Sequence, residues 1–375
     1  MHPGTDASPT PATDSPAVHA SSSTPAAAIA SAPVIAIATR EDIARAPADM
    51  ASLSRGRAWL ALVVLAAGYA ALRLEMNHEF EGAAWDELLA FTAAKPFGLR
   101  VLVPLLAWPL HTLLRMPTTW VFGLFETLAA IALVLATGAA LRPFVPPRWP
   151  TALGVALFLL LPVPFLLQHR WPIFYPYDTP AMAFTAGGVA LLVRGRWTLA
   201  AALTFVAALN RESAILLPFA ALALFFKNKP APTDMPLATW PMRQLLPRVL
   251  AMFAAFALAR GLVSAVLRDN PGAPLQFLVD GSPRLLQNFA WLEDPRHWLY
   301  LPAYFGLLPL AWLLLHAWIP APLRRLGWVG LVYIGALMWV ANIDEPRVYG
   351  EAIVLLYIPV AVALVRWLRS GPTPV

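Results

Sequence analysis

The chain has 375 residues, of which 59% are hydrophobic and 13% charged, and its formal net charge is +6. With a mean hydropathy of +0.63, it has too few polar residues to cover a soluble protein of this size. The composition therefore predicts an all-α, polytopic membrane protein. The absence of cysteine excludes disulfides, thiolate metal ligands and thiol nucleophiles. The basic residues flank apolar runs, as is typical of membrane proteins, so no nucleic-acid partner is expected.

Residues 1–54 differ from the rest of the chain, because they are rich in Ala, Pro, Ser and Thr and poor in large apolar groups. Such a segment cannot bury enough surface to offset the entropy of folding, so it is predicted to be a disordered cytoplasmic tail. A membrane domain is predicted at 55–368, followed by a short cytoplasmic tail at 369–375. The first apolar run begins near Ala58, too deep for a signal peptide, and is expected to remain as an anchor.

Ten apolar runs are candidates for transmembrane helices, and interfacial or re-entrant helices are expected in the first outer loop. Several runs are shorter than the roughly 20 residues that a crossing helix needs, so they are expected to borrow flanking residues or to line a water-filled cavity. The runs cover 58–74, 119–141, 149–167, 180–193, 197–209, 212–226, 248–267, 298–318, 326–341 and 351–368.

Pairs of basic residues lie between alternate runs, and the positive-inside rule then places both termini in the cytoplasm. This topology requires that residues 99–114, which contain two prolines and Arg100, lie at the outer surface or re-enter instead of crossing. If this segment crosses, the topology after it inverts. The basic pairs are Arg55 and Arg57, Arg142 and Arg148, Arg194 and Arg196, Lys227 and Lys229, and Arg324 and Arg325.

Four polar clusters interrupt the apolar sequence, and this topology places all of them on the same side of the membrane. They lie at Glu75–Glu87, Gln168–Thr179, Asn210–Ser213 and Asn342–Glu351. Charged side chains at membrane depth are costly unless they pair or face water. Their convergence therefore predicts a functional site.

The first cluster is acidic and offers candidates for a general base. A carboxylate that is partly buried beside a pocket has a raised pKa and can accept a proton from an alcohol. Trp85 and the apolar residues after it predict a short interfacial helix that fixes a carboxylate at the membrane surface. Asp86 is the first choice, and Glu79 and Glu87 are further candidates. The alternative is a solvated loop without a catalytic role.

The second cluster places Asp178 before Thr179 and Pro180, at the start of an apolar run. Asp178 either caps that helix through backbone amides or binds an arginine or a substrate hydroxyl. The neighbouring Tyr177 belongs to a group of aromatic residues that is also typical of an interfacial belt.

The third cluster, Asn210, Arg211 and Glu212, interrupts an apolar stretch whose two ends carry cytoplasmic basic groups, so it is predicted at the tip of a hairpin. Adjacent residues on a helix point about 100° apart. Pairing across clusters is therefore expected, for instance of Asp178 with Arg211 or of Glu212 with Arg347.

The fourth cluster contains Glu345 and Arg347. The planar guanidinium of Arg347 suits bidentate contact with a phosphate at the membrane surface, although it can equally cap a neighbouring carboxylate. The long outer segment from Arg268 to His297 is expected to form surface helices over the pocket.

The first predicted span is followed by carboxylates and then by the motifs FGLRVLVPLL, YDTPAMAF, LNRES and DEPRVY. This set of motifs resembles that of the bacterial GT-C-type glycosyltransferase superfamily. The resemblance covers about residues 55–368 and is closest to bacterial relatives of the polyprenyl-phosphate-sugar-dependent transferases. The residues at similar places are Tyr177, Asp178, Asn210, Arg211, Glu212, Glu345 and Arg347.

The resemblance implies an inverting hexosyltransferase of the bacterial inner membrane, which moves a sugar from a polyprenyl-phosphate donor to a glycan, lipid or protein acceptor on the periplasmic side. Asp86 maps to the general base, and Arg211 or Arg347, with Arg100 as a third option, to the donor phosphate. Arginines can stabilise a leaving phosphate without a metal, but the outer acidic groups also allow Mg²⁺ or Mn²⁺. A departure from the family is that no Asp-Asp or Asp-x-Asp pair stands among the first acids.

Two other classes compete with this interpretation. A transporter or flippase of a lipid-linked or anionic substrate also has intramembrane charges, but its polar residues would be distributed through the membrane depth. A noncatalytic envelope-assembly protein would tolerate changes at Asp86 and Arg211 that preserve folding.

Overall fold

A computed structural model describes residues 48–166, 172–226, 240–279 and 281–370 of the chain. The chain divides into two compact units, Met1–Arg55 and Gly56–Val375. Within the first unit the described residues are helical from Ala48 onward, so the predicted tail boundary at residue 54 falls inside a helix. Residues 1–47 and 371–375 of the two predicted tails lie outside the described residues. All contacts reported below lie within Gly56–Val375.

The described chain is mostly helical, as the composition predicts. Its only paired strands, β1 (Leu278–Val279) and β2 (Ser282–Pro283), form a short antiparallel hairpin. The α-helices are α1 (Ala48–Met76), α2 (Trp85–Leu89), α3 (Leu102–Leu113), α4 (Thr118–Leu141), α5 (Trp149–Leu160), α6 (Pro162–Phe165), α7 (Asp178–Val193), α8 (Trp197–Asn210), α9 (Leu216–Phe225), α10 (Met242–Val266), α11 (Arg284–Leu292), α12 (His297–Tyr304), α13 (Leu308–Leu314), α14 (Ala321–Leu337) and α15 (Gly350–Ser370).

Helices occupy all ten predicted spans, but the number of about ten crossings is not confirmed. Four helical segments of the described chain are long and apolar enough to cross a membrane: Gly56–Met76, Thr118–Leu141, Met242–Val266 and Pro346–Arg369. The consecutive helices α12 and α13 meet at 80° and together make a fifth candidate. The predicted run 298–318 is therefore broken, and the remaining helices are too short to qualify.

The segment expected at the outer surface or re-entrant forms α3, which has 12 residues and contains Pro109. At about 1.5 Å per residue it is about 18 Å long, well short of the roughly 30 Å hydrocarbon layer. It packs against α4 and α8, and Leu105 and Trp108 on its other side are exposed. Its position relative to a membrane stays a prediction.

The helix α15 is the centre of the packing, because 89% of the most apolar window in Pro346–Arg369 is buried, against 28% for Gly56–Met76 and 22% for Met242–Val266. Around it, α4 packs against α5 and α7, α8 against α10, and α14 against α15. The helices α4 and α5 approach closely at Gly154 of α5, where an added Cβ would lie 2.4 Å from the carbonyl oxygen of Val134. Only glycine allows α4 and α5 to pack this closely.

Candidate functional site

The structure brings the four polar clusters to one end of the helical body. The first two clusters meet at a bridge between His78 and Ile173. The second and third are joined by Asn210, whose side-chain amide donates a 2.9 Å hydrogen bond to the carbonyl oxygen of Tyr177. The fourth reaches the second through Arg347, which lies 3.8 Å from the carboxylate of Asp178. These contacts join segments that are far apart in the sequence, and charged residues of the second, third and fourth clusters form a single charged cluster.

Asp178 is at the centre of that cluster, because three arginines contact its carboxylate. Arg73, Arg211 and Arg347 lie at 3.3, 3.2 and 3.8 Å, and the side chain of Asp178 is 1% exposed. The expected contact of Asp178 with Arg211 is thus present. The capping interpretation is wrong, since α7 begins at Asp178 itself and has no side-chain cap hydrogen bond.

Two members of the cluster, Arg73 of α1 and Glu126 of α4, were not among the predicted site residues. Their side chains pair at 2.6 Å and are almost completely buried. Thr179 bridges them, accepting a 2.8 Å hydrogen bond from Arg73 and donating a 2.6 Å bond to Glu126. The sequence signal for Glu126 was available, because a single acid inside an apolar run is costly unless it is paired.

In the third cluster, Arg211 also lies 3.5 Å from Glu351, and the hydroxyl of Ser213 donates a hydrogen bond to that same carboxylate. Glu212 does not contact Arg347, so that suggested pairing is wrong. Its partner is Arg100, at 2.5 Å.

In the fourth cluster, Arg347 donates a 2.7 Å hydrogen bond to Glu345. The structure thus shows the carboxylate pairing that was weighed against phosphate binding for this arginine. The guanidinium also lies 4.3 Å from the ring centre of Tyr175. Since Arg347 is 2% exposed, a phosphate would have to displace one of these contacts.

Three stacked aromatic rings lie beneath these cations. Phe97, Tyr175 and Tyr177 stack with centroid distances of 5.2 and 5.1 Å, and the guanidinium of Arg100 lies 4.6 Å from the Tyr177 ring centre. Burial raises the pKa of the Tyr175 phenol to about 12, so the group stays neutral at physiological pH. Among the described residues the Tyr177 hydroxyl is buried and has no hydrogen-bond partner.

The predicted bases of the first outer loop lie outside this cluster. Asp86, Glu79 and Glu87 are exposed, so the partial burial expected for Asp86 is not observed. Asp86 accepts a 3.3 Å hydrogen bond from the Thr118 hydroxyl, and Glu79 accepts a 2.9 Å bond from the backbone N–H of Trp85. Within the described chain, no hydrogen bond or ion pair links the three acids to Asp178.

The short helix α2 that carries Asp86 is nevertheless anchored over the site. Its residue Trp85 packs edge-on against Phe174, with ring centres 5.7 Å apart, and Leu88 is buried in the same apolar cluster as Tyr175. The predicted short helix after Trp85 therefore exists, with its apolar side facing the protein and its carboxylates facing outward.

The more exposed part of the cluster, called the open edge below, consists of Glu212 and Arg260 together with the buried Arg100. The Glu212 side chain is 37% exposed, in contrast to 1% for Asp178. Arg260 of α10, which was not predicted, is half-buried and donates hydrogen bonds to the carbonyl oxygens of Leu99 (2.9 Å) and Ala208 (3.3 Å). In the part of the chain that the structure describes, no carboxylate forms an ion pair with Arg260. Two cations and one anion at this edge leave a net positive charge.

No group of three or more His, Asp or Glu side chains among the described residues is arranged to hold a metal ion. The acids of the site are instead distributed among arginines. Guanidinium groups of this kind can bind an anion.

Comparisons with protein-family models, with curated proteins and with solved structures find no match to this chain. The resemblance to the GT-C-type glycosyltransferases thus remains a prediction from the short motifs.

Proposed function

We propose that the protein is an inner-membrane glycosyltransferase that moves a sugar from a polyprenyl-phosphate donor to an envelope acceptor on the periplasmic side. The observation that carries this proposal is the convergence of Arg100, Tyr177, Asp178 and Arg211, with Arg347, on one end of an apolar helical body. A lipid-linked phosphate needs a cation that is reachable from the membrane, and the half-buried Arg260 beside this cluster supports the proposal.

The donor phosphate is assigned to the open edge, with Arg260 as its direct contact. Arg100, which is 8% exposed and paired with Glu212 at 2.5 Å, adds a neighbouring positive charge. Arg211 and Arg347 are buried and paired with carboxylates, and removing one partner of a buried ion pair costs about 3–5 kcal/mol. A phosphate that binds Arg260 would break no ion pair of the described chain, because the hydrogen-bond partners of Arg260 there are backbone carbonyls. It also lies in a candidate membrane span that is only 22% buried, where a lipid can reach it.

The general base is assigned to Asp86, whose exposed carboxylate can meet an acceptor arriving from the aqueous side. In this scheme the acceptor hydroxyl loses its proton to Asp86 and attacks the anomeric carbon, and the carbon–phosphate oxygen bond breaks. The leaving phosphate takes the electron pair and is stabilised by the guanidinium groups at the open edge.

A transporter or flippase is the second candidate, and the position of Glu126 favours it. Glu126 lies eight residues after Thr118, the first residue of α4, which is about 12 Å into the helix at 1.5 Å per residue. The charged cluster therefore reaches into the bundle, as a polar path for substrate requires.

The deciding experiment incubates the purified protein in liposomes with radiolabelled polyprenyl-phosphate hexoses and an envelope extract as acceptor. We expect donor consumption, reduced about 10- to 100-fold by Arg260→Gln, since a hydrogen bond to a charged group contributes about 1.5–3 kcal/mol. Arg268→Gln is the control, because that side chain is 79% exposed. Asp86→Asn should abolish transfer without changing donor binding. Glu81→Gln is its control and should leave transfer unchanged.

If folded wild-type protein consumes none of these donors, the assignment as a hexosyltransferase is wrong. Movement of intact donor between the two leaflets without its hydrolysis would support the second candidate instead.

A further inference from the structure

The linker between α10 and α12, and α12 itself, carry many exposed apolar side chains. Side chains of Leu275, Phe277, Leu278, Leu286, Phe289, Trp298, Leu299 and Tyr300 are each at least 50% exposed. A surface facing water rarely keeps so many large apolar groups together, so a patch of this kind marks a contact with a partner or a membrane.

The helix α11 has two distinct faces. Leu286 and Phe289, three residues apart, point outward and are 59% and 51% exposed. Asn288 on the other face is 3% exposed. Residues three apart lie on the same side of a helix, so the apolar face is continuous and the polar face is turned to the protein.

Chain continuity identifies what covers the apolar face. The linker begins where the candidate span Met242–Val266 ends and leads into the bent pair α12 and α13, which together qualify as a span. Both ends of the linker are thus at a membrane boundary, where Trp and Tyr side chains such as Trp298 and Tyr300 are enriched. A helix that is apolar on one face lies in this layer with that face in the lipid.

The polar face of α11 is bonded to the segment that carries the fourth polar cluster. The side-chain amide of Asn288 donates to the carbonyl oxygens of Met338 (2.7 Å) and Ala341 (2.8 Å), and its oxygen accepts from the backbone N–H of Ile343 (3.0 Å). One side chain of α11 thus makes three hydrogen bonds to the backbone of this turn.

A second link runs directly to the site. Arg284 donates to the side-chain oxygen of Asn342, Asn342 donates a 2.6 Å hydrogen bond to Glu345, and Glu345 accepts from Arg347 at 2.7 Å. Arg347 in turn is one of the three arginines around Asp178.

We propose that α11 is seated in the lipid headgroup layer and that this contact positions the loop bearing Glu345 and Arg347, with Asn288 as the positioning residue. The partner is the bilayer surface itself. This inference does not depend on the proposed transferase activity, because a transporter with the same fold would carry the same lipid-seated loop.

The first test uses the cysteine-free chain to attach one spin label at a time, at Leu286→Cys, Phe289→Cys or Asp269→Cys, in phosphatidylethanolamine–phosphatidylglycerol liposomes. Asp269 is the matched control, because it lies in the same linker and its side chain is 89% exposed. We expect oxygen to relax the labels at 286 and 289 and a water-soluble nickel chelate to relax the label at 269. Nickel accessibility at all three sites, or protection of 286 and 289 from both reagents, overturns the lipid contact.

The second test measures the coupling to the loop, through the mobility of a spin label at Trp339→Cys, a position that is 56% exposed. Asn288→Ala should increase that mobility and Glu293→Ala, at the exposed end of α11, should not. Asn288→Asp keeps the acceptor for Ile343 but turns a carboxylate oxygen toward two carbonyl oxygens, so it should increase the mobility at least as much as Asn288→Ala. Asn288→Ser, which keeps a hydroxyl donor, should give a smaller increase and serves if the alanine variant does not fold. Unchanged mobility in a folded Asn288 variant overturns the positioning role.

Discussion

Removing the negative charge of Glu126 while keeping its shape should destabilise the protein strongly. The Glu126 oxygen that contacts Arg73 at 2.6 Å also accepts the Thr179 hydroxyl at 2.6 Å, and both charged side chains are at most 1% exposed. Glu126→Gln leaves Arg73 with Asp178, 3.3 Å away and shared with two other arginines. The loss is therefore larger than for an exposed pair, whose typical value is about 0–1 kcal/mol.

The expected magnitude follows from the partners that remain. Breaking a buried ion pair costs about 3–5 kcal/mol, and because Arg73 retains one carboxylate we expect the lower end, about 3 kcal/mol. At about 2 °C per kcal/mol for a large domain, Glu126→Gln should lower the apparent Tm by about 6 °C. The measurement is size-exclusion chromatography of detergent-solubilised protein after a series of heating steps.

Glu81→Gln is the control, since Glu81 has the same chemistry but is exposed. Adding Arg73→Met to Glu126→Gln removes the uncompensated cation, so the double variant should be more stable than the sum of the two single effects. Two results would refute the role of the buried ion pair. One is an apparent Tm of Glu126→Gln equal to that of Glu81→Gln, and the other is a double variant that is no more stable than the sum of the two single effects.

Three further outcomes are expected. Gly327→Ala should destabilise the protein by about 1–3 kcal/mol in the same heating assay, because the added Cβ would lie 2.1 Å from the indole nitrogen of Trp312. Gly335→Ala is the control and should be neutral or slightly stabilising, because its added Cβ has no neighbouring atom within 4 Å. Burial raises the pKa of Tyr175 to about 12, above the roughly 10 of an unfolded chain, so its neutral form adds stability that is lost as pH rises from about 10 to 12. Tyr175→Phe should therefore lose less stability than wild type between pH 9 and pH 11. A cysteine at Glu81 should react with an impermeant thiol reagent in intact spheroplasts, and labelling only after permeabilisation would invert the topology.

The position of the helices was largely predictable, because apolar runs bounded by basic residues or turns coincide with helices in the structure. The run 298–318 was predicted as one span, but its helix breaks where Gly306 and Leu307 both adopt positive φ. Gly306 and Pro309 were visible signals of that break. The number of crossings was not predictable in the same way, because helix length depends on where each end is capped by tertiary contacts.

The site was predictable as a set of residues but only partly as a set of contacts. Asp178 and Arg211 stood out as charges beside apolar runs, and one of the two suggested pairings is present. Arg73 did not stand out because it lies in the last turn of α1, where a basic residue looks like an ordinary flank. Glu212 pairs with Arg100 across 112 positions of sequence, and such a choice among several arginines is decided by packing alone.

Burial divides the charged residues into two groups that should respond differently to mutation. Asp178 holds three guanidinium groups away from water, so an anionic ligand gains nothing by entering there unless it replaces a carboxylate of equal charge. In contrast, Arg100 pairs with the partly exposed Glu212 and Arg260 is bonded to backbone carbonyls, and their excess charge lies beside a helix open to lipid. Changes around Asp178 should therefore lower stability with little selectivity for a ligand, and changes at the open edge should lower ligand affinity with little effect on the apparent Tm. A single pair of assays on Glu126→Gln and Arg260→Gln separates the two behaviours, and equal effects of both variants on Tm would show that the edge belongs to the scaffold.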